Sequence, residues 1–456
     1  MRQDVGVAIL GYGVVGKGVA HGIRNNSGHI AQRTGLNLRV AHILDLFDFP
    51  DSPDAALITH DPQDIFDDDG VHVVAEVMGG LKAAYEFTKA ALSRKKHVVT
   101  SNKELVAEHG PELLALASQN GVYYRFDASV GGGIPIITPI EECLAPSNIR
   151  EITGILNGTT NYMLTYMREH GAQFDETLKL AQDNGFAERD PSADVGGHDA
   201  RRKLAILSSL VWGAFLDWKD IHTEGITDVT HEDISMAADL GRVLRLIARA
   251  AIRGDGTAEA GVLPVMLDRR HPLAHVDGVN NAVIFGCDLN GDIMLYGHGA
   301  GMLPTGGAVI SDIIKVAGAS KPPLGNPIWD RVRALEAADF DTYVHDYYIR
   351  VETPDPDMYR EFLFREFPEA RILPRFADTG AGAVGVDGCE GADDDEGAGA
   401  DAGKCAGTAG NVGTAAAVST CIFTVPKMQE GELSRRLARI NDIVAGTATG
   451  LIARLM

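Results

Sequence analysis

Cysteine is scarce. The 456 residues carry five (Cys143, Cys287, Cys389, Cys405 and Cys421), scattered and without a CxxC or CxxxC pair. An odd, unpaired set argues against a disulfide framework and a thiolate zinc site, and it fits a reducing cytoplasm. Basic charge is also short, with 41 Lys and Arg against 63 Asp and Glu, a net charge of −22. Such a surface repels phosphate backbones and no local basic patch interrupts it, so nucleic acid and other polyanions are disfavoured as partners. No run of eighteen apolar residues occurs, and the opening MRQDVGVAIL passes straight into glycines. Neither a membrane span nor a signal peptide is expected, and a cytoplasmic location is.

Apolar residues make up 45% and charged residues 23%, close to globular averages, so a sizeable core is available. The length predicts two or three domains. Short β-branched runs at Val5–Leu10, Asn37–Leu44, Val71–Val77, His97–Thr100 and Val122–Phe126 alternate with helical stretches at Ala83–Arg94 and Glu104–Gln119. Near-continuously apolar strands separated by helices predict a parallel sheet covered on both faces, a doubly wound α/β domain. From about Val130 to Tyr296 longer helices are expected (Thr160–Glu169, Phe174–Asn184, Asp199–Phe215, His231–Ala251), with short strands such as Ile149–Leu156. That is an α+β domain with its own sheet. The glycine-rich stretch Gly297–Ile314 could return to the first domain.

The last hundred residues predict a βαββαβ unit: Tyr347–Val351, Met358–Glu366, Arg371–Phe376, Thr420–Val425, Glu430–Ile443 and Gly450–Leu455. Between its second and third strands, Ala377–Ala417 holds eight acids, one lysine and no aromatic residue. Such a segment buries too little surface to repay ordering, and a disordered acidic insertion is expected. The predicted domains are therefore 1–129 with about 297–343, then 130–296, then 344–456 carrying the insertion 377–417.

Gly11-Tyr12-Gly13-Val14-Val15-Gly16 follows the first strand and opens a helix. Its glycines allow a tight turn, close approach to a pyrophosphate and close helix–strand packing, the pattern of a dinucleotide site; a structural turn is the alternative. The second strand ends Leu44-Asp45-Leu46-Phe47-Asp48, with no Arg or Lys nearby. An acid accepts from a ribose hydroxyl and repels a 2′-phosphate, which favours NAD over NADP; Asp45 could instead cap a loop. Lys103, at the carboxyl end of the fourth strand, faces the expected cleft or is a solvated loop lysine. Glu188, Asp190, Asp194 and Asp199 fall within twelve residues and precede Lys203. Asp199 and Lys203, spaced i, i+4, share a helix face and could pair, placing an ammonium among carboxylates as a poised acid; a solvated acidic loop is the alternative. Asp127 precedes Val130-Gly131-Gly132-Gly133-Ile134, a hinge or a site for a hard monovalent cation.

Taken together, GYGVVGKG (11–18), EVMGG (76–80), KHVVTSNK (96–103), ASVGGGIP (128–135), GILNGTTNY (154–162), the run 185–203 and Tyr296–Asp312 resemble homoserine dehydrogenase over almost the whole length. The order of motifs is highly specific, and the Glu188-to-Lys203 run is the most diagnostic. The resemblance implies a Rossmann domain, a middle catalytic and dimerisation domain, and a C-terminal ACT-like regulatory domain. It implies the reversible NAD- or NADP-dependent interconversion of L-homoserine and L-aspartate 4-semialdehyde, a step toward threonine, isoleucine and methionine, in a homodimer or homotetramer. Lys203 matches the proton donor to the aldehyde oxygen. Lys103 matches a lysine between nicotinamide and substrate, itself sometimes assigned as the acid/base. Glu188 and Asp199 match ligands of the substrate's amino end, and Asp194 a supporting acid. Thr100, Ser101, Gly185 and Gly301 match cofactor-lining positions, and Asp127, Val130, Gly132 and Ile134 a sodium site.

Three departures stand out. Leu44 and Asp48 occupy places where many relatives carry Arg and Lys. Asp127 replaces the usual Glu. The C-terminal unit reads Glu352-Thr353-Pro354-Asp355 where an Asp-x-Pro-Gly turn is usual. NADP preference and feedback by threonine are thereby put in doubt. Other readings are a dehydrogenase of another amino-acid semialdehyde and a catalytically silent amino-acid sensor; the retention of both Lys103 and Lys203 argues against the sensor.

Overall fold

The computed structural model describes residues 3–319, 330–373 and 419–456. The expected acidic insertion 377–417, with Cys389 and Cys405, lies outside the described residues. Cys143, Cys287 and Cys421 are free thiols. Among the described residues no helix is long and apolar enough to cross a membrane. The chain divides into two compact units: 1–345 with 429–431 and 453–456, and 346–428 with 432–452.

The first unit opens with β1 (Gln3–Leu10), α1 (Val14–Thr34), β2 (Leu36–Leu44), β3 (Ile58–Thr59), β4 (Val71–Glu76), α2 (Lys82–Ser93), β5 (His97–Thr100), α3 (Lys103–Asn120) and β6 (Tyr124–Arg125). The strands form one parallel sheet in the order β3-β2-β1-β4-β5-β6. That is the doubly wound order whose reversal point, between β1 and β4, opens a ligand crevice at the strands' carboxyl ends. Val7, Ile9, Val73 and Val99 are fully buried in its core. This explains why the strands read as unbroken apolar runs rather than alternating ones.

A second sheet follows, built from β7 (Ile149–Ile155), α4 (Gly158–His170), α5 (Phe174–Asp183), α6 (His198–Trp212), α7 (His231–Asp239), β8 (Arg242–Ile252), β9 (Ala258–Asp268), β10 (Asn280–Cys287) and β11 (Gly291–His298). Its strand order is β11-β10-β7-β8-β9, and these neighbours are antiparallel. The single helix expected over His231–Ala251 is therefore wrong. The helix stops at Asp239, Gly241 turns with φ of +72°, and β8 begins. Leu244 to Ala248 are buried without a break, so β8 lacks the period-two alternation that would have marked it as a strand.

Helix α8 (Met302–Gly318) returns to the first sheet, where Val309, Ile310 and Ile313 join the core that holds Val19 and Ile23. The approach to α1 is close. A Cβ on Gly18 would sit 2.1 Å from the Met302 carbonyl oxygen. Asp312 of α8 then accepts from Arg125 Nε and from the Asp127 amide, both at 2.9 Å.

The second unit contains parts of β12 (Val344–Thr353), α9 (Pro356–Glu366), β13 (Arg371–Ile372), β14 (Ser419–Gln429), α10 (Glu430–Ile443) and β15 (Ala448–Leu455). Its sheet runs β15-β12-β14-β13. Tyr347, Ile349, Tyr359, Phe423, Leu433 and Ile440 form its core. This is the split βαβ arrangement.

Candidate active site

Gly11 has φ of +95°, and a Cβ there would collide with Met78 at about 3 Å, so only glycine serves. Gly16 lies against the Gly11 carbonyl oxygen and lets α1 pack on β1. Gly13 faces open space, and α1 starts at Val14 with no capping side chain and no acid in its first turn. Uncapped amides at the positive end of a 21-residue helix suit a pyrophosphate, so the residues fit a dinucleotide. Val14 is exposed at this mouth and Val15 half-buried. Gly301, with φ of +122°, precedes α8 on the Gly18 side of the same turn.

Leu44, the last residue of β2, is only 7% exposed. Leu46, Phe47 and Asp48 are all exposed, Leu46 by 90%. Asp45 holds the turn: its carboxylate accepts from the Tyr12 amide at 2.7 Å and the Phe47 amide at 3.1 Å. His60 bridges the Asp45 carbonyl oxygen and the Asp48 carboxylate at 2.7 and 2.8 Å. These two acceptors, the Asp45 carbonyl first, raise the imidazole's pKa.

The two lysines converge on one carboxylate. Lys103 Nζ lies 2.9 Å from Asp199 Oδ1, and Lys203 Nζ lies 2.8 Å from Oδ2. Lys103 opens α3 behind its N-cap Asn102, whose side chain accepts from the Leu105 amide. Asp199 and Lys203 stand one turn apart on α6, where Gly197, with φ of +78°, forms the N-cap. Lys203 is 8% exposed and also donates to the Leu156 carbonyl oxygen at 2.8 Å. Burial disfavours charge on Asp199, but the ammonium groups of Lys203 and then Lys103 outweigh it and hold the carboxyl below its usual range. Asp199 in turn raises the pKa of Lys103.

Asn157 ties in the remaining acid. Its side-chain nitrogen donates to Asp194 Oδ1 at 2.7 Å and to Asp199 Oδ2 at 3.0 Å, while its oxygen caps α4 through the Thr160 amide. An Asn directly before Gly-Thr-Thr at a strand end is the sequence signal for such a cap. Asp194 is pushed up by desolvation and then by the charge of Asp199. Glu188 stands apart: its side chain is exposed and makes no ion pair with this cluster. Gly185 is likewise exposed, with φ of +73°.

Glu76 was not foreseen as a site residue. It ends β4, fully buried, and accepts from Thr100 Oγ1 at 2.6 Å and from the Met78 amide at 2.8 Å. Thr100 also accepts from the Asn102 amide, so its hydroxyl is turned inward, while Ser101 is half-buried. Desolvation lifts the Glu76 pKa to about 7. Glu76 thus joins the loop after β4 to the turn that carries Lys103.

At the proposed cation loop, Asp127 accepts from the amides of Ile136 and Ile137 at 3.0 Å and of Thr138 at 3.3 Å. Those donors use most of the carboxylate's acceptor capacity, so a cation here would draw on backbone carbonyls of Asp127, Val130, Gly132 and Ile134 as well. Gly132, with φ of +57°, packs against the Gly299 carbonyl. Among the described residues no cluster of three His, Cys, Asp or Glu suits a metal ion.

Residues 11–127 match the family model described as homoserine dehydrogenase, NAD binding domain, and residues 135–314 the one described as homoserine dehydrogenase. A homoserine dehydrogenase from Synechocystis is 39% identical over 368 residues, covering 80% of this chain and 83% of that protein. The chain belongs to the homoserine dehydrogenase family. A solved homoserine dehydrogenase from Thiobacillus denitrificans superposes with a TM-score of 0.82 at 30% identity, covering 100% of this chain and 99% of that one. A hyperthermophilic archaeal homoserine dehydrogenase mutant in complex with NADPH superposes with a TM-score of 0.58 at 29% identity, covering 69% of this chain and 98% of that one. The two homoserine dehydrogenase matches split the site. Lys103 lies in the first, and Asp194, Asp199 and Lys203 lie in the second; both end before the second unit.

Proposed function

We propose that the chain interconverts L-homoserine and L-aspartate 4-semialdehyde, with Lys203 as the acid/base and Lys103 beside it. The observation that carries this assignment is the shared Asp199 carboxylate, which brings two ammonium groups from different helices to one point. A nicotinamide cofactor held at the Gly11–Gly16 turn would supply the hydride to the aldehyde carbon, or accept it from the alcohol carbon. Negative charge then grows on the substrate oxygen, and Lys203 Nζ stabilises it and delivers the proton; in the other direction it removes the hydroxyl proton. Lys103 adds positive potential and orients the oxygen. Asp199 keeps both lysines in place, and Asp194, with the exposed Glu188 recruited from its loop, receives the substrate's ammonium group.

Leu46 and Asp48 leave the second strand without a cation for a 2′-phosphate, which supports NAD over NADP. Sodium, if used, is held by the carbonyls of the 127–134 loop. The split βαβ topology supports an ACT-like role for residues 346–452, and the half-exposed outer strand β11, with Tyr296 outermost, supports assembly through the middle sheet. Free thiols fit a cytoplasmic enzyme. The test is the rate of reduced-cofactor formation from L-homoserine, measured separately with NAD and NADP, with and without threonine. Turnover with homoserine supports the assignment. A folded protein that binds cofactor but turns over no homoserine refutes it and favours the sensor or a dehydrogenase of another amino-acid semialdehyde.

A further inference from the structure

The last residues of the chain belong to the catalytic unit. Ala453–Met456 and Gln429–Gly431 group with the first unit, although the chain just before each belongs to the second. Arg454 and Leu455 pair in parallel with Val265 and Met266 of β9, and the Met456 carbonyl accepts from the Asp268 amide at 2.8 Å. Arg454 itself is 3% exposed and grips two glutamates. Its Nε and Nη2 meet both oxygens of the buried Glu430 at 2.8 and 2.9 Å. The same guanidinium meets both oxygens of Glu224, with Nη2 at 2.8 Å from Oε1 and Nη1 on Oε2. Glu224 also takes His222 Nε2 at 2.9 Å.

Glu224 sits in the segment that supports the substrate loop. Its amide donates to the Val262 carbonyl at 2.8 Å, and the Ile226 amide donates to the Val195 carbonyl at 2.8 Å. Between them Gly225 lets Val195 and Gly196 lie flat: a Cβ there would fall 2.2 Å from the Val195 oxygen and 2.8 Å from the Gly196 Cα. A Cβ on Gly197, the N-cap of α6, would come within 3.0 Å of the Thr223 side chain and 3.4 Å of the Glu224 carbonyl oxygen. Val195 follows Asp194 directly, and Gly197 precedes Asp199 by two residues. A continuous path of ion pair, hydrogen bond and backbone contact therefore joins Arg454 to both acids at the lysine pair.

We propose that Arg454 is a positioning residue for the substrate's ammonium site, acting through Glu224 on the 194–199 turn. It rests on the homoserine reading and assigns the chain's C-terminal strand a part in substrate recognition that the dinucleotide turn does not share. Replacing Arg454 leaves Glu224 and Glu430 without their shared cation, and the disturbance passes through Glu224 to the 194–199 turn, so the effect falls on affinity for the amino acid rather than for the cofactor.

The experiment compares the unmodified protein with Arg454→Met, Glu224→Gln and the double variant, by steady-state kinetics and by hydrogen–deuterium exchange. The homoserine KM should rise about tenfold or more in Arg454→Met, with the cofactor KM within about twofold, and the double variant should be no worse than the poorer single one. Exchange at residues 192–199 should quicken while residues 11–18 stay unchanged. Equal losses for both substrates, or an unchanged homoserine KM in a folded Glu224→Gln protein, would overturn the proposal. Should Arg454→Met fail to fold, Glu224→Gln carries the test: it keeps the side chain's size and one acceptor oxygen, but it sets an amide N–H against a guanidinium N–H and so breaks the bidentate pair. An unmodified protein that ignores homoserine refutes the function instead, and the exchange comparison still decides the coupling.

Discussion

Lys103 and Lys203, one hundred residues apart, approach opposite oxygens of the same Asp199 carboxylate at 2.9 and 2.8 Å. Two ammonium groups held this close repel one another unless an anion lies between them. Asp199 is that anion, and Asn157, itself held by Asp194, donates to its Oδ2. The site is thus an alternating row of charges. Removing different members of the row should give different kinetic signatures.

Lys203→Ala removes the proposed proton donor and leaves Asp199 paired with Lys103 alone. Turnover should fall by about 10²–10⁴-fold, the usual range for a positioned acid/base, while cofactor affinity stays within a few-fold. Steady-state rates with homoserine, set beside cofactor titration by fluorescence, separate the two. Lost cofactor binding with turnover intact would remove Lys203 from the chemistry.

Asp199→Asn keeps the shape and deletes the charge. The pKa of Lys103 is raised chiefly by the charge of Asp199, so loss of that anion must lower it. Any alkaline limb of the kcat profile that reports this ammonium should therefore move to lower pH, and kcat should fall. A pH–rate series on the variant checks the direction. A limb that stays in place would mean that it reports another group.

The i, i+4 spacing made the Asp199–Lys203 pair legible in the sequence, because both residues share one helix face. The Lys103–Asp199 contact was not legible, since only the fold brings α3 to α6. The parallel sheet was read from its apolar strands, yet the same feature hid β8, where burial on both faces erased the alternation. The 7% exposure of Leu44 was not legible for a related reason: at the end of a strand, position alone does not say whether a side chain points to the core or to the cleft. Asn157 and Glu76 escaped because their roles depend on partners about 40 and 24 residues away.

Glu76 should make stability fall as pH rises. Its pKa is near 7 in the folded protein, against an ordinary value of 4.5. Below the ordinary value both states are protonated and nothing is lost. Between the two values the folded state binds more protons than the unfolded one, so stability declines with pH, and above about 7 the full cost of a buried carboxylate is present. A neutral Glu76→Gln should therefore be more stable than the unmodified protein at pH 8, by about 1–3 kcal/mol, with the advantage vanishing toward pH 5. Its amide must face a donor, either the Thr100 hydroxyl or the Met78 amide, which keeps the gain below the full shift. Melting curves at several pH values decide it, and a pH-independent difference would count against titration of Glu76.

Cofactor choice turns on the exposed end of β2. Since Leu44 is buried, an arginine placed there would bury a cation and destabilise the sheet rather than greet a phosphate. The open positions are Leu46 and Asp48, the latter paired with His60. Leu46→Arg with Asp48→Lys should supply two cations for a 2′-phosphate and remove one repelling carboxylate. The ratio of kcat/KM for NADP to that for NAD should rise about tenfold or more, since each tenfold step needs only about 1.4 kcal/mol. Leu44→Arg should instead lower Tm without improving that ratio. If the double change leaves the ratio where it was, the ribose is read elsewhere in the cleft.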